Sequence, residues 1–419
     1  MCRDHEAESR VRNLFAPQDE PPDWKNIDLP ETAVLKLLVD AHCHPTDLPF
    51  SDAQVRDVGL GGLSAMATRI HDQELVEGFG RQYGRSQGRK PETETDTATA
   101  AIACFGYHPW FCHLLSVNSE DTPIDKYTHY ASIFLPPDTK SEKTAEYRQT
   151  LSGIIDDLPE PVRLQPLLDD MRKRIRQAQA DGQLVMVGEV GLDRSFRIPF
   201  PQPRSLDTSS TDMQSASPVE RVESVIATSG ADELAQKQSL PVKRKTLTPF
   251  TTSTAHQLRV LEMQFEVALE FGLNVSLHSV KAQGETIKFL RDFKKKHGSR
   301  FEDRVNVDLH SCGGWSVESW MSESRHFRNL YTSPSLAISA RTSVTPHLIR
   351  SSDPTRLLVE SDTHLIQDTT RRTWAAAVWI AKCRDLRVEW TEKDLSSDSS
   401  AQQGVVRMLH ANWKAFMKL

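Results

Sequence analysis

Two histidines stand two residues apart, His42 and His44, in the stretch VDAHCHPTD that follows the apolar run Leu35–Ala41. On a strand, residues i and i+2 face the same side, so both imidazoles can reach one ion. The pair alone is weak evidence, because 15 histidines in 419 residues give roughly 0.5 such spacings by chance. Other ligand-type side chains end comparable runs. VMVGEVGLD carries Glu189, VSLHS carries His278, VDLHS carries His310, and LLVESD carries Glu360 and Asp362. A carboxylate at the end of an almost wholly apolar run is costly to bury unpaired, so Glu189 needs a cation or hydrogen-bond donors. Taken singly, Glu189 also fits a salt bridge, and each histidine fits a hydrogen-bonded core residue. Together, four histidines and two carboxylates, Glu189 and Asp362, at the ends of five separate runs point to one shared metal site. His71, His129, His297, His326 and His410 lie elsewhere in the pattern.

Six such donors exceed what one tetrahedral zinc uses, and a carboxylate can bridge two ions. Two metals roughly 3.5–4 Å apart would share a water, lower its pKa and hold both attacking and leaving oxygens. The expected reaction is hydrolysis, at a phosphodiester or an acyl bond. Histidine and carboxylate donors without thiolate fit two divalent ions of zinc, manganese, cobalt or magnesium.

Eight short aliphatic runs must position these donors: Leu35–Ala41, Leu63–Thr68, Ala101–Tyr107, Leu184–Val190, Leu273–Leu277, Val305–Leu309, Asn329–Thr332 and Leu357–Glu360. Helical patterns such as Leu164–Ala180, His256–Phe271 and Gly284–His297 lie between several of them. Alternation of strand and helix argues for a parallel sheet with crossovers. Eight units favour an α/β fold of the (β/α)8 TIM-barrel type, whose active sites lie at the C-terminal strand ends. An open doubly wound sheet is the alternative, since Gly59, Gly61 and Gly62 punctuate the second run. No GxGxxG follows the first run and no GxxxxGK[ST] occurs, which weakens a nucleotide-binding reading. The expected organisation is an N-terminal extension over 1–33 and one barrel over 34–419. Polar insertions are expected at about 84–100, 113–165 and 195–250, the last disordered.

With 51 basic and 57 acidic side chains the net charge is -6, so no global cationic field exists to capture nucleic acid. A phosphate-bearing substrate would need a local basic patch or bound cations. The clean apolar stretch Ala375–Ala381 is far too short to cross a bilayer, and MCRDHEAESR lacks the apolar run of a secretory signal. No membrane role is expected. Six scattered cysteines without a CxxC pair read as reduced thiols, which places the protein in the cytoplasm or the nucleus. The basic run PVKRKTL around Lys243 reads as a solvated loop or a nuclear address.

The chain resembles the TatD-type metal-dependent deoxyribonucleases of the amidohydrolase superfamily. The matching stretches are VDAHCH (39–44), GYHPW (106–110), GEVGLD (188–193), the helix-and-strand stretch 256–279, DLHSCGG (308–314) and LLVESD (357–362), with NWKAF (412–416) near the end. The resemblance implies that His42 and His44 hold one metal with Asp362 beside them. It implies that Glu189 bridges to a second metal held by His278 and His310, and that Asp362 is the general base. Glu360 would orient a ligand or form a strand-end salt bridge. His108 would contact a substrate phosphate or the leaving oxygen, or cap its strand. Lys281 and Lys288 would meet phosphates or lie on a solvated face, and Cys43 and Cys312 are read as packing residues.

Three departures from the family pattern bear on the substrate. His364 and Asp368–Arg372 stand where a proline and then an Asn-Glu-Pro stretch are usual, Val280 and Lys281 stand where an arginine is common, and the 195–250 insertion follows GLD directly. The combination is similar to a diverged eukaryotic, fungal-like branch. The implied substrate is DNA, as single strands or ends. The alternatives are an amidohydrolase acting on a small cyclic amide or ester, and a non-catalytic barrel that binds a protein partner through its long loops.

Overall fold

The computed structural model describes residues 20–84, 99–119, 123–136, 142–201, 247–396 and 404–419. Much of the expected N-terminal extension, most of the 84–100 and 195–250 insertions, and the basic run near Lys243 lie outside the described residues.

Seven parallel strands follow one another around a sheet in chain order: β1 (Val39–Cys43), β2 (Gly62–Met66), β3 (Ala100–Phe105), β4 (Val185–Asp193), β5 (Val275–Val280), β6 (Val307–His310) and β7 (Leu330–Ser333). β2, β4, β6 and β7 are buried along their whole length, as parallel strands covered on both faces must be. The first run starts its strand later than the sequence suggests, because Thr32–Leu35 form a short helix that buries Val34 and Leu35.

The eighth run closes the ring without becoming a regular strand. Leu357 bridges Thr332 in parallel, and the Leu358 N–H donates to the Thr332 carbonyl at 2.9 Å. On the other side, the Ala41 N–H donates to Val359 O (2.9 Å), the Asp362 N–H to His42 O (3.0 Å), and the His44 N–H to Thr363 O (2.9 Å). The ladder is interrupted because the Ser361 N–H donates to the Asp40 carboxylate instead (2.9 Å), and Asp362 takes a left-handed φ of 49°. The fold is therefore an α/β barrel with an irregular eighth member, and the open-sheet alternative does not hold.

Helices used below are α1 (Asp72–Tyr83), α2 (Lys126–Phe134), α3 (Glu142–Ile154), α4 (Leu164–Ala180), α5 (Thr254–Phe271), α6 (Gln283–His297), α7 (Thr369–Arg384) and α8 (Val405–Met417). α1, α4, α5, α6 and α7 contribute apolar faces to the large core around the strands, for example Phe79, Met171, Phe265, Phe289 and Trp374. Within the 113–165 stretch, α2 and α3 build a satellite core of Tyr130, Phe134, Leu151 and Ile154 with Ile198 and Phe250. Asp125 starts α2 by accepting the Thr128 N–H at 2.7 Å, and Gly272 ends α5 in the left-handed conformation.

The barrel interior holds Ala41, Met66, Ile102, Cys104, Met186, Tyr331 and Leu358, packed with Trp413, Phe416 and Met417 of α8. Asn274 and Asn306, which precede β5 and β6, donate to the Phe416 carbonyl at 2.5 and 2.7 Å. α8 thus plugs the N-terminal end of the barrel. The polar side chains are left to gather at the other end.

Candidate metal centre

Glu189, near the middle of β4 and only 4% exposed, is the hub of that end. Its Oε1 lies 2.7 Å from His278 Nδ1, 2.7 Å from His310 Nε2 and 3.1 Å from His108 Nε2. Its Oε2 lies 3.4 Å from His44 Nε2 and 3.6 Å from His42 Nε2. Asp362 Oδ1 faces the same two nitrogens, at 3.9 Å from His42 and 3.7 Å from His44. The barrel therefore brings all six donors named from the sequence into one cage, with His108 as a seventh member.

Each donor is held from behind. His42 Nδ1 contacts Ser276 Oγ at 2.7 Å, which turns Nε2 inward, and its ring stacks on His310 at 3.8 Å. Asp40 Oδ1 accepts the His42 N–H (3.2 Å) and the Ser361 N–H (2.9 Å), so one buried carboxylate fixes both β1 and the segment that carries Asp362. Glu360 accepts the Ser311 N–H at 2.9 Å and the Ser333 hydroxyl at 2.5 Å, and sits 3.8 Å from His310 Nδ1. It stands behind His310 without a hydrogen bond to it. His108 Nδ1 accepts the Trp110 N–H (3.2 Å), so it caps its turn and still points Nε2 into the cage. Lys281 stands exposed one residue past β5, at a φ of 50°, and Lys288 pairs with Asp292 on the outer face of α6. Cys43 turns away from the cage and donates to Ser64 O at 3.4 Å.

Three residues escaped the sequence reading. Asp193 lies four residues after Glu189 on the same strand face, with Oδ2 3.3 Å from His278 Nε2 and 2.7 Å from the Trp110 Nε1 that donates to it. The quoted GLD motif held the signal, since i and i+4 share a face on a strand. Asp47 was the second, and Arg69 the third. His364, read only as a departure, stacks on His44 at 4.9 Å and contacts Asp47 at 2.7 Å. Asp47 in turn pairs with Arg69 at 2.8 Å. Sequence spacing gave no signal for that chain, because its members are brought together from three separate loops.

The electrostatics divide the cage. Burial pushes the His42 imidazolium down to about 3 and that of His108 to about 4, so both rings are neutral. Burial also works against charge on His278, yet Asp193 and Glu189 on either side outweigh it and raise its pKa to about 9. His310 is pushed well above its ordinary value against its burial, chiefly by Glu189. Burial would raise Glu189 and Asp362, but the surrounding imidazoles hold both carboxylates below their ordinary values.

A divalent cation fits this donor set. The His42 and His44 Nε2 atoms face each other at 3.1 Å, and His278 Nδ1 and His310 Nε2 at 3.3 Å, with two carboxylates between and beside them. Converging lone pairs and anions need positive charge, supplied by protons or by ions. Buried nitrogens His44 Nδ1 and His310 Nδ1 have no hydrogen-bond partner. Ligand atoms within 4.8 Å of one another come in the groups His42–His44–Asp362, His108–Glu189–His278 and His42–His310–Glu360.

A parallel barrel that gathers imidazoles and carboxylates at its C-terminal strand ends defines a class, the metal-dependent hydrolases. The sequence profile of the TatD related DNase family matches residues 39–382, and the chain belongs to that family. It is 27% identical over 395 residues to the Cut9-interacting protein scn1 of Schizosaccharomyces pombe, covering 88% of this chain and 98% of that protein. It is 29% identical over 167 residues to an uncharacterized deoxyribonuclease of Saccharomyces cerevisiae, covering 39% and 44% of the two chains. Among solved structures, an uncharacterized amidohydrolase from Saccharomyces cerevisiae shares the fold, with a TM-score of 0.50 and 11% identity over 90% of this chain and 99% of that one. The family expected from the motifs is thus the family found.

Proposed function

We propose that the protein hydrolyses DNA phosphodiester bonds, in single strands or at ends, with two divalent ions held in the cage. The observation that carries this reading is the division of Glu189, whose two oxygens face two different histidine sets. His42, His44 and Asp362 would hold one ion, and His278 and His310 the other, with Glu189 shared. When bound, the ions supply positive charge that polarises the phosphodiester and acidifies the attacking water.

The chain's own groups complete the reaction. Asp362 is held as an anion, and it accepts the proton of the attacking water. Ser311 Oγ, 3.1 Å from Asp362 Oδ2, steadies that oxygen and leaves Oδ1 turned to the cage. His108 accepts at Nδ1 and is neutral, so its proton sits on Nε2, from which it donates to the departing oxygen or a phosphate oxygen. Lys281 supplies the exposed cation that meets a flanking phosphate at the rim.

The test is hydrolysis of end-labelled single-stranded DNA by chelator-treated protein, with magnesium, manganese or zinc restored singly. Metal-dependent cleavage that disappears in Asp362→Ala is the expected result. Folded protein that binds two ions yet cleaves no DNA would overturn the nuclease reading and point to a small cyclic amide or ester.

A protein partner and a cytoplasmic or nuclear setting belong to the same proposal. The fission yeast relative is named for an interaction with Cut9, the five described cysteines are buried free thiols, and no helix among the described residues is long and apolar enough to cross a membrane.

A further inference from the structure

We infer that Gln264 is a positioning residue, which holds the Tyr107 peptide group from α5 and so sets His108 against Glu189. The inference rests on the reading of the cage as a hydrolytic centre in which His108 meets the phosphodiester. β3 pairs with β4 only from Ala103 to Phe105, opposite Val185 to Val187. Beyond Phe105 the chain leaves that ladder, yet Tyr107 and His108 are both buried. Backbone groups there need partners that the neighbouring strand no longer supplies. Gln264, itself fully buried, supplies them. Its Oε1 accepts the Tyr107 N–H at 2.7 Å, and its Nε2 donates to the Tyr107 carbonyl at 3.1 Å. Gln73 of α1 donates to the Gly106 carbonyl at 2.6 Å, and the His108 N–H donates to Thr68 O at 2.9 Å.

Tyr107 directly precedes His108, so the clamp acts one peptide unit from the ring. The ring itself meets Trp110 N–H at Nδ1 (3.2 Å) and Glu189 Oε1 at Nε2 (3.1 Å). The same helix makes a second hold two turns earlier. Gln257 stands at the i−7 position, on the same helix face as Gln264. It accepts the Asp193 N–H at 2.7 Å and donates to the Asp193 carbonyl at 2.8 Å. With two like side chains, α5 grips the chain just past β3 and the end of β4. It thereby fixes the His108 turn relative to the strand that carries Glu189. A displacement of about 1 Å at a group that meets substrate costs on the order of 100-fold in rate, which sets the scale of the expected effect.

Two variants test it. Gln264→Met keeps the length of the side chain and removes both hydrogen bonds. Gln264→Asn keeps the amide but stops one methylene short of Tyr107, and it disturbs the fold less. The first readout is amide exchange in chelator-treated protein. The Trp110 N–H is bonded to the His108 ring, so its exchange reports where the ring stands. In either variant it should quicken on the order of tenfold more than the Val275 and Val307 amides, which donate to the Asn306 and Asn329 carbonyls in the sheet. The second readout is a double-mutant cycle with His108→Ala, measured as kcat on a single-stranded oligonucleotide with manganese. Either change at Gln264 should lower kcat by on the order of 10–100-fold and leave KM within about threefold of wild type. In the His108→Ala background the same change should cost less than about threefold. Equal quickening of all three amides, or a kcat loss that persists undiminished in His108→Ala, makes Gln264 a fold-stabilising residue only and overturns the inference. Wild-type protein that cleaves no DNA counts against the proposed function. The exchange measurement needs neither ion nor substrate, and it still decides for or against Gln264.

Discussion

In the two-ion cage proposed above, protons and metal ions would compete for the same nitrogens, and the structure sets the pH at which each ion would win. His278 has its pKa raised from 6.5 to about 9 in the folded, metal-free protein, with Asp193 and Glu189 overcoming the effect of burial. A folded pKa above the unfolded one stabilises the native state. The contribution is fully present below the unfolded value of 6.5 and is lost as pH rises through 9. Its size is about 3 kcal/mol, or about 3–4 °C in Tm for a chain of this size. An ion bound through His278 and His310 must displace protons from two imidazoles that are both held above their ordinary values, so its apparent affinity climbs by between about tenfold and a hundredfold per pH unit toward that limit. His42, with its pKa near 3, has no proton to displace in this range. The ion held through His42 should therefore load at lower pH than the ion held through His278. Calorimetric scans of chelator-treated protein from about pH 6 to 10, with manganese titrations at the same points, measure both effects. A metal-free Tm that is flat or rising between pH 6.5 and 9, or two ions with one shared pH dependence, would rule this competition out.

Three further outcomes are expected. Asp362→Ala should lower the rate of single-strand cleavage by on the order of 10²–10⁴-fold while leaving the urea midpoint near that of the wild type. Asp40→Ala strands the buried His42 and Ser361 N–H groups, while the Thr373 hydroxyl keeps the Thr369 carbonyl at 2.8 Å, and should destabilise the fold by roughly 2–5 kcal/mol in urea unfolding. Gly191→Ala places a Cβ 2.1 Å from the His278 carbonyl, so β4 and β5 must separate. That variant should lose roughly 1–3 kcal/mol of stability and bind one ion fewer by elemental analysis.

The barrel and the gathering of the six candidate donors were legible because those residues ride on the elements with the strongest local signal. Glu189, His278 and His310 each lie on an apolar, β-branched strand, where period and composition agree. The eighth run was legible as a chain segment but not as an irregular one, since its ladder is broken by a side chain, Asp40, that lies 321 positions earlier. The GLD motif marked the strand face of Asp193 but not its partners, because Trp110 and His278 come from two other elements. The same is true of Asp47, Arg69 and His364, whose contacts run between loops after different strands. Sequence spacing reports neighbours along a strand or a helix face; it does not report which loop tips meet.

The seam between β1 and the closing segment joins the first barrel element to the last. Residues 40–44 and 359–363 meet across it, and the side chains of His42, His44 and Asp362 face one another over the same gap. During synthesis, the first strand emerges with its two histidines long before their carboxylate partner exists. More than three hundred residues must follow, and the loop they form must close before the cage is complete. A half-made or C-terminally shortened chain therefore holds an incomplete donor set and no hydrolytic centre. The order of the chain itself keeps the chemistry switched off until the ring has shut.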